Sequence, residues 1–471
     1  MLTLESLTAI SPLDGRYRMR TGELSDLVSE FALIRLRVEV EIEWFIHLAN
    51  EPTIKDIPKL DATTEERCRD VWRHFDIDDA RTIQATELEI NHDVKAVEYF
   101  VKNKLRNLGL EHCIEFVHFA CTSEDINNLA YGLMLKRSRQ TCLLPAMEDV
   151  MQAIATLAQE FAEIPMLSRT HGQPASPTTV GKEMANFIAR LENRLRDIEN
   201  CPIYGKMNGA VGNYNAHLIA YPDVNWTSLS ENFVSSLGLA FNPITAQIEP
   251  HDYMGKLFRE LQALNQVLLD FNRDMWSYIS IGYFKQRLIE NEVGSSTMPH
   301  KVNPIDFENA EGQLGLAGAI FNHLAGKLTV SRWQRDLSDS TALRSVGTAF
   351  GHCMVAYLST LRGIQKLDLD RDVIANDLKA SWEVLTEAIQ TTMRKHGINE
   401  SYEQLKRWTR GRHFDETVYR DILGQLELPA EALAELEALT PETYTGLASS
   451  LAHETASRVI SRKTAINSDE D

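Results

Sequence analysis

The sequence lacks the signals of a membrane, secreted or zinc-binding protein. No apolar run approaches the ~18 residues that a membrane-spanning helix needs, and the N-terminus shows no basic segment followed by an apolar one. We therefore predict neither a membrane anchor nor a signal peptide. The 6 cysteines are scattered and form no CxxC pair. Their spacing favours reduced thiols in a cytoplasmic protein over a disulfide framework or a zinc site.

Positive charge and cofactor motifs are also scarce. The 471 residues include 48 Lys and Arg against 67 Asp and Glu, which gives a net charge of −19. Such an acidic chain repels nucleic acid, so we expect neither nucleic acid nor a membrane as a partner. The sequence contains no HExxH motif, no Gly-rich dinucleotide fingerprint and no GxSxG elbow. We therefore expect acid–base chemistry on an anionic substrate, without a cofactor or a metal.

Helical periodicity dominates what the sequence does contain. Residues 251–293 include no proline and place apolar side chains three and four residues apart, which predicts one long helix. Further helices are predicted over 124–163 with a break near Pro145, and over 179–200, 306–328 and 340–366. Gly312, Gly315 and Gly318 recur at helical spacing, which predicts that another helix approaches closely. Strand-type alternation does not recur at regular spacing.

The predicted fold class is therefore all-α, with an elongated central bundle of long helices. The chain is longer than one hydrophobic core supports, so several domains are expected. We predict a helical N-terminal domain over 1–111, the long-helix bundle over 112–365, and a helical C-terminal domain over 366–471 that ends in a frayed acidic tail.

Four clusters of polar residues interrupt the helical pattern, each at a predicted helix boundary. They span residues 86–95, 118–128, 168–178 and 294–304. In the first, Asn91 is predicted to cap the helix that follows. In the second, Thr122 and Asp125 have the spacing of a capping box, and taken alone this segment fits a plain helix cap better than an anion site. In the third, His171 precedes a Gly-Gln-Pro turn, and a lone histidine is more often a satisfied polar residue than a functional one.

The fourth cluster is the most informative, because a single loop carries several reactive side chains. It reads GSSTMPHKVNP over residues 294–304. Pro299 and Pro304 exclude a helix interior or a central strand, and a loop this rich in hydroxyl, imidazole and ammonium groups indicates function. A further segment, 331–344, reads SRWQRDLSDSTALR. Its three arginines fit a phosphate or carboxylate clamp or, equally well, a solvated helix face with ion pairs.

These motifs resemble those of the fumarase/aspartase superfamily of lyases. The loop at 294–304 is similar to the superfamily's signature loop, and TSEDINN (122–128) and SRTHGQPASP (168–177) are similar to its other two shared regions. Within the superfamily, the sequence most resembles the adenylosuccinate lyase family of bacterial type. The segments that carry this closer resemblance are SPLDGRY (11–17), NHDVKAVEYF (91–100), the histidine of MPHKVNP and SRWQRDLSDSTALR (331–344).

The resemblance, which runs over roughly residues 5–450, implies a reaction and an assembly. Enzymes of that family eliminate fumarate from adenylosuccinate to give AMP, and from SAICAR to give AICAR, in purine nucleotide biosynthesis. The C–N bond breaks after a proton leaves the carbon beside a carboxylate, so the developing charge needs cations and N–H donors in fixed positions. The resemblance also implies a homotetramer in which three subunits contribute to each active site.

The resemblance further implies a role for individual residues. Ser295 is the implied general base and His171 the implied general acid. Glu308 is implied to orient the histidine, with His92 in support. The residues implied to hold the succinyl carboxylates are Thr122, Ser123, Ser296, Lys301 and Asn303. Those implied at the nucleotide and reaction centre are Asn91, His92, Asp93 and Gln247, and those on the phosphate side are Arg16, Tyr17, Arg335, Ser340 and Arg344. Asn309 and Thr341 are implied as further substrate contacts.

The identity of the base is a point where residue chemistry and the resemblance differ. A serine hydroxyl is a poor base, and residue types alone favour His92, His118 or His171. Ser295 can act only if closure of its loop places the alkoxide among several donors in a site without water. The loop is accordingly predicted to be a mobile lid.

Three alternatives remain open. Sister lyases, namely argininosuccinate lyase, fumarase, aspartase and the cycloisomerase, share the loop but are expected to lack the arginine-rich segment 331–344. A non-catalytic structural protein on the same scaffold would be indicated by the loss of His171 or Ser295, and both are present. A metal-dependent hydrolase is disfavoured, because the 14 histidines show no ligand spacing.

Overall fold

The computed structural model describes residues 3, 5–287, 289, 297, 298, 300–411 and 413–469. Helices dominate these residues, and their few strands form three two-stranded sheets. The all-α fold class is therefore confirmed. None of the helices in this part of the chain is both long and apolar enough to cross a membrane.

The helices and strands follow one another in this order. The α-helices are α1 (Arg18–Thr21), α2 (Ser25–Val28), α3 (Glu30–Ala49), α4 (Ala62–Arg73), α5 (Ile77–Ile90), α6 (Asp93–Asn107), α7 (Ser123–Ser138), α8 (Leu144–Glu160), α9 (Val180–Glu199), α10 (Asn215–Ala220), α11 (Trp226–Ser236), α12 (Asp252–Ser280), α13 (Ile305–Lys327), α14 (Ser338–Leu343), α15 (Val346–Gln365), α16 (Arg371–Lys379), α17 (Thr386–Lys395), α18 (Ser401–Thr409), α19 (Glu416–Leu423), α20 (Ala430–Ala438) and α21 (Ala448–Asp469). Short 3₁₀ helices span Gly22–Leu24, Glu111–Phe116 and Trp382–Leu385, and a π-helical turn spans Arg139–Leu143. The strands are β1 (Pro165–Thr170), β2 (Gln173–Thr179), β3 (Tyr204–Gly205), β4 (Ala240–Phe241), β5 (Phe284–Gln286) and β6 (Leu367–Leu369). The pairs β1–β2 and β5–β6 are antiparallel, and β3–β4 is parallel.

Helix α12 corresponds to the long helix that was predicted over 251–293 from the spacing of its apolar residues. It begins at Asp252, close to the predicted start, and ends at Ser280. Gly282 then has a φ of 81° and is followed by β5. A left-handed glycine ends a helix readily because it has no Cβ to clash. The helix predicted over 251–293 was therefore too long.

The other predicted helices are present with small changes. Those predicted over 179–200 and 306–328 are confirmed as α9 and α13. The one predicted over 340–366 is divided into α14 and α15, and the one over 124–163 is divided into α7 and α8 by the π-helical turn. That turn lies just before Pro145, which has no N–H to donate to the preceding turn, so the break falls where it was predicted.

The chain divides into two compact units, each with its own apolar core. The first contains Met1–Ala146, Arg194–Gln266 and Gly312–Ala356, and the second contains Met147–Asn193, Val267–Glu311 and Tyr357–Asp471. In the first unit, α3 is buried along most of its length and packs against α4, α6 and α7. In the second unit, the rings of Phe187 and Phe307 pack against Phe271 on α12.

The glycine-rich part of α13 is open. A Cβ built at Gly312, Gly315 or Gly318 would meet nothing within 4 Å beyond the helix's own backbone. The close helix approach predicted there is therefore wrong for the described residues of a single chain. Leu316 on the same helix is 51% exposed, which leaves an apolar side chain next to this open surface.

Candidate functional site

In the first unit, the turn between α5 and α6 carries Asn91, His92 and Asp93. Asn91 closes α5 with a left-handed backbone (φ 56°), and its N–H donates to the Glu87 carbonyl at 2.7 Å. His92 is the N-cap of α6, and its Nδ1 accepts the Lys95 N–H at 3.2 Å. The predicted cap at Asn91 is therefore wrong, because Asn91 ends one helix and His92 caps the next. Since Nδ1 accepts, a neutral His92 carries its proton on Nε2.

Asp93, the first residue of α6, lies between two arginines. Its Oδ2 is 2.7 Å from Nη2 of Arg37 and 3.7 Å from Nη2 of Arg344. Burial alone would raise the pKa of this carboxyl, but the charge of Arg37 and the Val94 N–H outweigh burial and hold the pKa below its usual value. Asp93 is thus a carboxylate that joins a buried arginine of α3 to a predicted phosphate-side arginine.

Arg344 follows α14 and contacts a second predicted residue. Its Nη1 donates to Ser340 Oγ at 2.8 Å, and its Nε is 3.4 Å from Oε2 of Glu30. Thr341, the neighbour of Ser340, is exposed. Arg344, Ser340 and Asp93, predicted from two distant segments, therefore meet at one place.

Arg335 is held by a buried carboxylate. Its Nη2 is 2.9 Å from Oε1 of Glu124, and its Nη1 donates to Gln247 Oε1 at 3.5 Å. Asp339 lies 3.9 Å from the same Nη2. Burial raises the pKa of the Glu124 carboxyl, and the charge of Arg335 opposes that rise. The alternative of a solvated helix face is therefore wrong for Arg335, and Arg332, which is 85% exposed, lies before α14 and not on a helix.

The N-terminus of α7 positions Thr122 and Ser123 through a buried carboxylate. The Thr122 N–H donates to Asp125 Oδ2 at 2.8 Å, and the predicted capping box is confirmed. Asp125 also accepts the Asn208 N–H at 3.0 Å and lies 3.0 Å from Nζ of Lys206, with both charged side chains fully buried. The box therefore fixes the start of α7 to a second segment of the first unit.

The N-terminal motif SPLDGRY ends beside a cleft of about 300 Å³. Arg16 is exposed and Tyr17 is partly buried immediately before α1. Arg18 and Arg344 are among the residues that line the cleft, and Arg18 Nη1 donates to Ser25 Oγ at 2.7 Å. Sequence reasoning missed Arg18, which lies one residue beyond the motif.

Sequence reasoning also missed Arg37, which is 2% exposed on α3. A signal for it exists in the sequence. Arg37, Glu39 and Glu41 alternate with apolar residues over 30–49, so this helix has no continuous polar face. A helix without a polar face is buried, and buried charges must be paired. The charged residues of α3 could therefore have been predicted as members of an internal network.

His118, one of the histidines considered as a base, is turned into the first unit. Its Nδ1 is 2.6 Å from Oε1 of Glu41, which is fully buried. Burial lowers the pKa of His118, but the charge of Glu41 outweighs burial, so that the pKa lies above its usual value. The His118 ring is therefore held by an internal carboxylate, and only 17% of its side chain is exposed to a ligand.

In the second unit, His171 lies at the tip of the hairpin formed by β1 and β2. His171 and Gly172 have φ values of 55° and 75°, which fits a two-residue type I′ turn. The hairpin is anchored by Asp377, which pairs with Arg169 and accepts a hydrogen bond from Tyr283. The sequence predicted only a turn here. In the structure, the exposed imidazole of His171 lies at the end of an antiparallel hairpin that these side-chain contacts hold in place.

The signature loop is described only in part. Ser295 and Ser296 lie outside the described residues, so their roles stay predictions. Lys301 is exposed, and the Asn303 carbonyl accepts the Ile305 N–H at 2.9 Å where α13 begins. The loop therefore leads directly into α13, the helix that carries the next two predicted residues.

Those two residues, Glu308 and Asn309, are adjacent on α13. Trp276 Nε1 donates to Glu308 Oε1 at 3.0 Å, and Asn309 Nδ2 donates to Ser359 Oγ at 3.0 Å. Among the described residues, no hydrogen bond or ion pair joins Glu308 to His171. The predicted orienting pair is therefore not formed within a single chain.

Comparison with known proteins relates nearly the whole chain to a group of lyases. A lyase family model matches residues 15–318, and an adenylosuccinate lyase C-terminal model matches residues 331–445. The adenylosuccinate lyase of Vibrio cholerae is 52% identical over 449 residues, which cover 95% of this chain and 98% of that protein. The adenylosuccinate lyase of Escherichia coli strain K12 is 50% identical over 454 residues, which cover 96% of this chain and 100% of that protein.

Solved structures with low sequence identity share the fold. A fumarate lyase from Mesorhizobium sp. BNC1 has a TM-score of 0.73 and 16% identity, covering 93% of this chain and 97% of that one. A 3-carboxy-cis,cis-muconate lactonizing enzyme from Pseudomonas putida has a TM-score of 0.70 and 16% identity, covering 93% and 96%. At such identities the likeness establishes the architecture alone.

Proposed function

The chain belongs to the adenylosuccinate lyase family and is a lyase, and on that premise we propose that it eliminates fumarate from adenylosuccinate to leave AMP. The observation that carries this proposal is the 52% identity to a named adenylosuccinate lyase over 95% of the chain. The same elimination from SAICAR, which leaves AICAR, is part of the proposal. Both reactions belong to purine nucleotide biosynthesis and need no cofactor. We place the enzyme in the cytoplasm, because none of its six cysteines forms a disulfide among the described residues.

The proposed reaction moves two protons around one C–N bond. Ser295 removes a proton from the carbon beside a carboxylate, and the electron pair left behind forms the C=C bond of fumarate. The C–N bond breaks as its electrons move to nitrogen, and His171 gives that nitrogen a proton. The exposed position of His171 at a braced hairpin tip supports this role, because the imidazole is open to a ligand while its backbone is fixed.

The negative charge that develops during proton removal needs stabilisation. In the proposal, Lys301 and Asn303 face the carboxylate on which that charge accumulates, and Thr122 and Ser123 hold the other carboxylate at the start of α7. Oxygen anions are favoured at a helix N-terminus by its N–H groups and dipole. Since the chain as a whole carries a charge of −19, binding of a substrate with two carboxylates and a phosphate depends on these local donors and not on long-range attraction.

The proposed function is tested by measuring fumarate release from separate substrates. We expect the purified protein to release fumarate from adenylosuccinate and from SAICAR, and not from argininosuccinate. The arginine-rich segment 331–344 is the reason for this expectation. Its guanidinium groups suit a phosphate, which adenylosuccinate and SAICAR carry and argininosuccinate lacks. Release from argininosuccinate alone would make the protein a sister lyase of the same superfamily.

We propose in addition that the enzyme is a homotetramer with shared active sites. Two observations support this assembly. The glycine positions of α13 have open space around them and lie next to the exposed Leu316, and exposed apolar surface of this kind favours association with another subunit. Glu308 and His171 do not meet among the described residues of one chain, so an orienting contact between them requires another subunit.

Activity per subunit is therefore expected to fall on dilution, as tetramers dissociate. Leu316→Asp should move this loss to higher protein concentration, because a carboxylate on the open face disfavours burial. Leu88→Asp, at an 82% exposed leucine of α5, serves as the control. The measurement pairs specific activity with sedimentation velocity across a dilution series. A monomer with full activity would contradict the shared-site assembly.

A further inference from the structure

A chain of polar contacts within the first unit links the two arginines proposed to bind the substrate phosphate. Arg335 Nη2 is 2.9 Å from Oε1 of Glu124. The same Glu124 oxygen accepts the Nδ2 hydrogen of Asn127, one turn further along α7, at 2.9 Å. The carboxylate that holds Arg335 is therefore itself held by the carboxamide of Asn127.

The series of polar contacts continues from the carboxamide oxygen of Asn127. Arg37 Nε donates to Asn127 Oδ1 at 2.8 Å, and Arg37 Nη2 donates to Asp93 Oδ2 at 2.7 Å. Asp93 Oδ2 is in turn 3.7 Å from Nη2 of Arg344. Asn127 thus uses both ends of its amide, and Arg37 donates from two nitrogens of its planar guanidinium, Nε and Nη2. Four side chains from α3, α6 and α7 connect Arg335 to Arg344.

Burial makes the middle of this chain rigid. Arg37, Asn127 and Glu124 are 2%, 9% and 4% exposed, and buried polar groups keep their partners because losing one is costly. Arg344, in contrast, retains a side chain that is 39% exposed. The buried members therefore form a fixed base, and the arginine at one end remains open to a ligand.

The charges of the cluster make orientation more important than net charge. Its three arginines face four carboxylates, namely Asp93, Glu124, Glu30 and Asp339. The cluster therefore offers no excess of positive charge. Its affinity for a phosphate has to come from N–H groups that point in the right direction, and such bidentate contacts depend strongly on geometry.

We propose that Asn127 and Arg37 are positioning residues for phosphate recognition, which hold Arg335 and Arg344 in the orientation in which both donate to the phosphate of the substrate. This inference rests on the proposed function, because it takes the nucleotide phosphate as the ligand of the two arginines. Asn127 and Arg37 act through Glu124 and Asp93.

The first test removes Asn127, the side chain at the centre of this series of polar contacts. Asn127→Ala is expected to raise KM for adenylosuccinate about tenfold and to leave kcat within about twofold of the wild type. The phosphate is remote from the C–N bond that breaks, and we expect its contacts to be equal in the ground state and the transition state, which is uniform binding that changes KM and not kcat. Mere loss of folded protein would instead lower the apparent kcat and leave KM unchanged.

A second variant tests the same idea without removing a buried charge. Arg37→Lys keeps the positive charge but cannot donate to Asn127 and Asp93 from one planar fork, so the same rise in KM is expected. Asn272→Ala is the matched control, because Asn272 is 1% exposed in the second unit and accepts a hydrogen bond from Thr360 at 3.1 Å. This control is expected to lose thermal stability without any change in KM.

Calorimetry with AMP and adenosine isolates the phosphate from the rest of the ligand. The wild type should bind AMP more tightly than adenosine, and both variants should lose most of that preference while adenosine binds as before. Unchanged KM in both variants, or an equal loss of affinity for AMP and adenosine, would overturn the inference. A wild type that prefers AMP but releases no fumarate would overturn the proposed function, and loss of its AMP preference in the variants would still support the positioning role.

Discussion

Glutamine in place of His171 is expected to lower kcat by about 100- to 10,000-fold, the usual range for loss of a general acid. Without a positioned acid, the nitrogen of the breaking C–N bond must leave as an anion, which is a poor leaving group. Glutamine preserves the polarity of the hairpin tip but carries no proton that it can transfer. Since the hairpin is braced through Arg169, Tyr283 and Asp377, the fold should tolerate the change, and KM should vary little.

The matched control for this prediction is His453→Gln. His453 is a partly exposed histidine of the second unit that contacts Gln159 and Glu163 at the surface. Steady-state fumarate release is measured for both variants. We expect the large fall in kcat in His171→Gln alone, which would show that it comes from loss of the general acid and not from replacing a histidine of the second unit. If His171→Gln kept more than about a tenth of the wild-type kcat, the general-acid role would be untenable.

Alanine at Ser295 is expected to lower kcat at least about 100-fold while adenylosuccinate still binds. The Ser295 hydroxyl is proposed to take the proton from carbon, and the methyl group of alanine cannot accept a proton. The dissociation constant for the substrate, measured by calorimetry with the inactive variant, should stay close to the wild-type KM. Thr297→Ala removes a different hydroxyl from the same loop and should leave turnover nearly unchanged.

If Ser295→Ala kept near-normal turnover, Ser295 would not be the general base, and a histidine would have to take that role. His118 does not suit it, because its Nδ1 is bound to the buried carboxylate of Glu41. His92 would then be the histidine to test, because its ring is about half exposed, although it can take a proton only after its Nδ1 releases the Lys95 N–H. A further substitution, His92→Gln, would distinguish the two bases.

Mixing the two inactive variants also tests whether the sites are shared. If His171 and Ser295 of one site come from different subunits, random reassembly of His171→Gln with Ser295→Ala should restore about one quarter of the sites. If both residues of a site came from one subunit, every mixed tetramer would stay inactive. Recovery of activity on mixing therefore reports directly on the proposed assembly.

The sequence by itself determined the helical class, the positions of most long helices and the chemistry-bearing segments. Helical periodicity is a local property, so α9, α13 and the break before Pro145 could be predicted without knowledge of neighbours. Local turn chemistry was harder to assign. The cap at Asn91 was misplaced by one residue, because asparagine suits both the left-handed end of one helix and the start of the next.

Only the tertiary structure decided which charges are paired and how they are held. Arg335 and Glu124 lie far apart in the sequence, as do Arg37 and Asp93, and both pairs form only because the segments that carry them pack together. The physical reason is that burial forces a charged side chain to find a partner, and the partner it finds depends on long-range packing. Residue types and motifs therefore predicted the groups that act on the substrate, whereas the fold determined the buried contacts that those groups make.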